Sequence, residues 1–189
     1  TVLRAGQEIT SREIGLVAAL GKSRVNVYRN PKVAIISTGN ELIAAGQQLD
    51  YGKIYDINSE TLAGAILESG CEPVPLGVCS DDPEEMKIKI RQALLIADVI
   101  VTSGSTSAGA GDVLYRIIGD FAGPGVLVHG LSVKPGKPLI IAVIEGKPLF
   151  GLPGYPTSAL MMFNLIVKPN ISKMAGRAVE STAWLEGQV

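Results

Sequence analysis

Five short polar stretches concentrate the side chains fit for chemistry, and each follows an apolar run. They are residues 38–41 (TGNE), 81–82 (DD), 103–112 (SGSTSAGAGD), 134–138 (KPGKP) and 153–158 (PGYPTS). The longest contains only Ser, Thr, Gly, Ala and one Asp, between the apolar run at 99–101 and a helical apolar period that begins at Val113. A strand, a small-residue loop and a helix start in that order can aim backbone N–H groups and the positive end of a helix dipole at one point. That is an anion site. A plain tight strand-to-helix connection has the same composition, so the reading rests on the other four stretches.

Carboxylates accompany these loops: Glu41, Asp56, Asp81, Asp82 and Asp112. Beside a polyanion they repel it unless a cation lies between, so the combination points to Mg²⁺ or a similar hard cation bridging protein oxygens and a phosphate-like ligand. Lys134 and Lys137 add positive charge, and Pro135 and Pro138 fix where it points. Each acid also has a plain alternative. Asp82 precedes Pro83 and reads as a helix N-cap, Asp112 can cap its own helix, Glu41 can be a solvated loop charge, and Asp56 can pair with Lys53 at the surface. His129 stands alone in VLVHGL and reads as structural.

The elements that position these loops follow from periodicity. Apolar residues make up 47% of the 189-residue chain but aromatics only 5%, and the Val- and Ile-rich runs suit a sheet covered on both faces. Strands are predicted at 32–37, 74–78, 98–102, 126–133, 139–144 and 149–151, and helices at 58–70, 83–96, 113–118 and 158–167, the last stopped by Pro169. Asn58 or Ser59 is the expected cap of the first of these helices. Pro73 and Pro75 place the second strand at a sheet edge. Residues 145–147 form a hairpin turn, also expected at the edge. Strand alternating with helix implies a doubly wound, mostly parallel α/β sheet that binds ligands at the carboxyl ends of its strands. Residues 1–30, with a helical patch at 14–20 and an alternating stretch at 25–28 that reads as a strand, and residues 169–189 are expected to join the domain at 31–168 to neighbouring ones.

With 17 Lys and Arg against 18 Asp and Glu, nothing global steers the chain to nucleic acid or membrane. No apolar run approaches a membrane span, and the N-terminus lacks a signal-peptide core, so a cytoplasmic protein is expected. Cys71 and Cys79 read as buried thiols.

Six motifs together, STGNEL at 37–42, GKIYDIN at 52–58, SDDP at 80–83, SGSTSAGAGD, KPGKP and GLPGYPTS at 151–158, resemble the molybdopterin-binding domain of the molybdopterin molybdotransferases, the MoeA family. The resemblance implies a three-layer α/β/α domain that inserts molybdenum from molybdate into adenylylated molybdopterin, with hydrolysis of the adenylate and release of AMP. It puts Glu41, Asp81 and Asp112 on the family's acidic positions, as catalytic groups and Mg²⁺ ligands. Ligand contacts fall to Thr38, Gly39, Asp56, Ser103, Gly104, Ser105, Ser107, Gly109, Pro135, Lys137, Pro138, Pro153, Gly154 and Ser158. It also implies a homodimer built through further domains, and an adenylyltransferase as partner. One departure stands in the central loop, where Gly104 is followed by Ser105 and the family has a second glycine. Two other readings compete: a MogA-like adenylyltransferase, which shares the fold and transfers AMP from ATP, and a non-catalytic scaffold module. KPGKP and the IGLVAALG segment favour the molybdotransferase, and a scaffold has no physical use for carboxylates at the mouth of an anion crevice.

Overall fold

The computed structural model describes residues 2–104 and 111–177, with backbone alone at 111 and 112. Its centre is a six-stranded sheet in the order β4-β1-β5-β8-β7-β6. The strands are β1 (Lys32–Thr38), β4 (Glu72–Cys79), β5 (Val99–Ser103), β6 (Gly125–His129), β7 (Ile140–Ile144) and β8 (Lys147–Leu152). The pairs β4/β1, β1/β5 and β5/β8 are parallel, whereas β8/β7 and β7/β6 are antiparallel. A two-stranded parallel ribbon, β2 (Leu42–Ile43) with β3 (Ile54–Tyr55), lies in the excursion after β1.

Side-chain alternation of period two explains the two cores. Val33 and Ile35 of β1, Val99 and Val101 of β5, and Phe150 and Leu152 of β8 face α2 (Asn58–Glu68), α5 (Pro156–Met162) and α6 (Lys168–Met174). Ala34 and Ile36, Ile100 and Leu149 point the other way, onto α3 (Pro83–Ile96) and α4 (Gly111–Ile118). Helices on both faces give three layers, as the sequence predicts. On α3 the stripe Met86, Ile90, Ala93 and Ala97 is buried, and Asp82 is its N-cap, accepting from the N–H groups of Glu84 and Glu85 at 2.9 Å each. Cys71 and Cys79 are free and buried, and burial pushes the Cys79 thiol up to about 12. His129 stacks on Tyr115 with ring centroids 4.8 Å apart.

Three expectations are corrected. The hairpin turn at Glu145 and Gly146, both at positive φ, does not lie at the sheet edge, because β8 pairs with β5 on one side and β7 on the other. The last helix begins at Pro156 and is not stopped by Pro169. A π-helical turn, Phe163–Val167, precedes α6, and its wider winding relieves the clash that a proline ring makes with the carbonyl four residues back. Finally, residues 25–28 form no strand, and Val25, Val27 and Tyr28 are exposed.

The segment before β1 carries α1 (Ser11–Ala19) and is tied to the body at three points. Arg29 makes a two-pronged bond to Asp98 at 2.7 and 2.8 Å, Glu8 pairs with Arg177 at 3.2 Å, and Tyr28 lies against Gly176. Asp98 also accepts from the Lys32 N–H at 2.8 Å. The Arg29 guanidinium, opposed by partial burial and aided by that N–H, holds the Asp98 carboxyl below the usual carboxylate range. A depressed folded value contributes stability that is complete above the unfolded value of about 3.9 and is lost as pH falls through the folded one. Asp98→Asn is therefore expected to lower the denaturation midpoint near neutral pH. The gap from the parent should close as pH drops below about 3.9, and urea titrations across that window check it.

Candidate functional site

The chain leaves β1 toward β4 on one side and leaves β5 toward β6 on the other. The carboxyl ends of β1 and β5 therefore flank the switch point, where an open α/β sheet forms its crevice. The alternation that builds the cores places Ser37 and Ser103 one step beyond Ile35 and Val101, on the α2 face. There they meet the start of α2. Asp56, 7% exposed, accepts from Ser37 Oγ at 2.9 Å and from the Ser59 N–H at 3.1 Å, and the Ser37 and Ser59 hydroxyls lie 3.0 Å apart. The ribbon delivers Asp56 to that spot: Ile54 N–H donates to the Glu41 carbonyl and Asp56 N–H to that of Ile43, each 2.8 Å. Asp56 is thus a buried member of the network and does not pair with Lys53, which donates to the Asn40 carbonyl at 2.6 Å.

On the opposite side of the same strand ends, Thr38 Oγ1 donates to the Ser103 carbonyl at 3.2 Å. Gly104, at φ +111°, lets the backbone pass so close to β1 that an added Cβ would stand 2.1 Å from the Thr38 carbonyl oxygen. Gly154 approaches Gly104 from β8: a Cβ there would be 3.3 Å from the Gly104 Cα. Gly39, at φ +153°, has the Glu41 carboxylate over it, with Oε1 2.8 Å from where its Cβ would be. The N–H groups of Gly39 and Gly104 are taken by the carbonyls of Cys79 and Leu152, at 3.1 and 3.3 Å. Neither N–H is therefore free to meet an anion. Ser105, Ser107 and Gly109 lie outside the described residues, as does the side chain of Asp112, whose backbone is in the first turn of α4.

Asp81 is placed by its neighbours. Glu85 accepts from the Ser80 N–H and hydroxyl, the hydroxyl bond holding its carboxyl below the ordinary value, and Asp82 caps α3 on the other side. Between them the Asp81 N–H donates to Asn40 Oδ1 at 3.2 Å, so Asn40 links the loop that carries Glu41 to the loop that carries Asp81.

Residues 34–173 match the family described as "Probable molybdopterin binding domain". The chain belongs to this family. It is 36% identical over 180 residues to a molybdopterin molybdenumtransferase from Nostoc, covering 94% of this chain and 41% of that one. It is also 36% identical to a molybdopterin molybdenumtransferase from Haemophilus influenzae, covering 93% and 43%. A solved structure of a molybdopterin biosynthesis MoeA protein from Pyrococcus horikosii superposes with a TM-score of 0.85 at 44% identity, over 93% of this chain and 43% of the other. The chain thus spans about two fifths of the length of the curated relatives it matches.

In this molybdopterin-binding domain the KPGKP loop leads into β7, which runs antiparallel to β8, so the loop lies at the crevice end of the sheet. Lys134, Pro135 and Lys137 are exposed and Pro138 is half-buried. Gly136, at φ +105°, is pressed against Met162 of α5, and a Cβ there would be 2.7 Å from its Cγ. That contact seats the loop against α5, the helix that follows the turn formed by buried Pro153 and exposed Gly154. Ser158 is buried in the first turn of α5. No described hydrogen bond joins Lys137, Pro135, Pro138 or Ser158 to the Asp56 network. The structure brings Thr38, Gly39, Asp56, Ser103, Gly104, Pro153 and Gly154 into one assembly, with Glu41 and Asp81 at its rim.

The sequence reading missed Asn58, which it gave to helix capping. The residue before α2 is Ile57, with no side-chain cap bond, and Asn58 is turned to the site instead. Its Nδ2 donates to Ser103 Oγ at 2.5 Å and to the Gly154 carbonyl at 2.8 Å. Its place in GKIYDIN, two residues after Asp56, was the available signal.

Proposed function

We propose that this domain carries the molybdopterin site of a molybdopterin molybdotransferase, which inserts molybdate into adenylylated molybdopterin and releases AMP. The observation that carries the reading is the crevice at the ends of β1, β5 and β8, where Gly104 and Gly154 keep backbone open beside a buried polar network and two carboxylates stand at the rim. A ligand with phosphate and pterin parts needs that mixture: close backbone, neutral hydrogen-bonding groups, and acids that engage it through a cation. The relatives' names support the same activity, and they favour it over the compact adenylyltransferase or a scaffold.

Glu41 and Asp81 fit Mg²⁺ as hard oxygen donors on loops joined by Asn40. Among the described residues no three Asp, Glu, His or Cys groups gather into a cage. On this reading Asp112 is the third acid. Bound Mg²⁺ would offset charge on the phosphate oxygens as the P–O bond to AMP breaks. The chain's own part is to orient the adenylate through the loop after Gly104, to hold the phosphates near Lys134 and Lys137, and to keep that lysine loop rigid through Pro135, Pro138 and the Gly136–Met162 contact. Molybdate enters as substrate. Residues 1–30 and the chain beyond α6 join the domain to others, a homodimer completes the crevice, and an adenylyltransferase hands over the nucleotide. Among the described residues no helix is long and apolar enough to cross a membrane, in keeping with work in the cytoplasm.

The test is insertion of molybdate into adenylylated molybdopterin by the full-length protein, with AMP release followed in parallel. Asp112→Asn, of the same shape within the first turn of α4, is expected to leave the thermal midpoint nearly unchanged and to cut insertion about 10–100-fold. Near-normal insertion by that variant would remove Asp112 from the metal set. No insertion by the parent would overturn the assignment.

A further inference from the structure

We infer that Asn58 is the positioning residue that sets the spacing of the crevice loops for ligand. The inference rests on the function proposed above. Asn58 is 8% exposed, and its two Nδ2 protons go to groups on different strands: Ser103 Oγ, at the end of β5, and the Gly154 carbonyl, in the turn after β8. These partners are 45 and 96 residues away in sequence. A carbonyl only accepts, so the Gly154 contact fixes which end of the amide faces the loops. With Asn58 donating to it, the Ser103 hydroxyl turns its own proton to the Pro153 carbonyl, 3.4 Å away. One side chain at the start of α2 therefore fixes both walls between which the loop after Gly104 begins.

The other end of the same amide argues for a role beyond stability. Among the described residues, Asn58 Oδ1 is buried without a hydrogen-bond partner. A buried acceptor left unpaired is destabilising, and a residue serving stability alone would not carry that cost while Ser37, Asp56 and Ser59 close by in the fold are all bonded. What Asn58 supplies in return is the separation of the β5 and β8 loops. A shift of about 1 Å there is enough to spoil a bound geometry. The neighbouring serines cannot replace it, because a hydroxyl has one proton and Asn58 uses two.

The test uses the full-length protein and AMP, the product of the proposed reaction, with Mg²⁺ present, titrated calorimetrically. Asn58→Ala and Asn58→Asp, the second of the same shape but without the Nδ2 protons, are each expected to weaken AMP binding about tenfold. Thermal midpoints measured alongside correct for any unfolded fraction. Ser103→Ala is then combined with each. If Asn58 acts through Ser103, the double variant binds AMP no worse than the worse-binding single one, and a merely structural role would move the thermal midpoints without moving AMP binding by the folded protein. Unchanged AMP binding in Asn58→Asp, or strictly additive effects with Ser103→Ala, would overturn the inference. A parent protein that fails to bind AMP at all would instead overturn the functional reading beneath it.

Discussion

Gly104→Ala is expected to destabilise the domain by roughly 3–5 kcal/mol and to abolish ligand binding in whatever fraction remains folded. Two separate costs add. An alanine at φ +111° is strained whatever surrounds it, and here its Cβ would sit 2.1 Å from the backbone carbonyl of Thr38, which cannot swing aside as a side chain can. Relief requires β1 and β5 to part where the crevice starts. Gly77, at φ +75° with open space around it, provides the control, since Gly77→Ala carries the conformational strain without the collision. Urea denaturation of the two variants separates the terms, and the excess for Gly104 should be the larger share. If both lose the same stability, the close approach of the strands is not tight in solution. Gly154→Ala, with ordinary φ and a 3.3 Å approach to Gly104, should be much milder.

Molybdenum insertion by the 189-residue chain is expected to run on the order of 10³-fold below that of a protein of the relatives' full length. The described crevice is one-sided: Glu41, Lys134, Pro135, Lys137 and Gly154 are all exposed at it. Reaction of a phosphoanhydride with a second anion depends on holding both in line, and a single wall leaves too much freedom. The fold itself should persist, because both core layers close within the described residues. Steady-state insertion by the two proteins, compared at matched folded fraction, decides the matter. Equal rates would make the site self-contained within this chain.

Where local chemistry and long-range packing agree, this chain is readable from its residues. Both faces of β1, β5 and β8 are apolar, so the runs VAII, VIV and LF announce a sheet between two helical layers, and Asp82 before Pro83 announces the start of α3. Legibility stops where the deciding partner is far away in sequence. The interior position of β8 depends on pairing with β5, which a hairpin-like KPLFG does not reveal. An Asn ahead of a helix reads as a cap, yet Asn58 spends its amide on partners that only the folded sheet brings near. Asp56 beside Lys53 reads as a surface pair until the β2–β3 ribbon turns it inward. Pro169 reads as a stop because a helix is assumed to be α, and the π turn before it removes the clash. The loops that carry Thr38, Ser103 and Gly154 were legible as a set, since each must follow a strand. How closely Gly104 and Gly154 approach was not, because glycine advertises freedom without saying what uses it.

The ties between Glu8 and Arg177 and between Tyr28 and Gly176 bear on how such a domain travels between proteins. They make the segment leading into the sheet and the helix leading out of it neighbours, so the two crossing points form a single narrow neck. Splicing a body with adjoining necks into a host chain closes a host loop that is already almost shut, and loop closure costs little when its ends need not be drawn together. The same geometry permits circular permutation, with a short linker joining the neck and new termini opened in the exposed 44–51 loop.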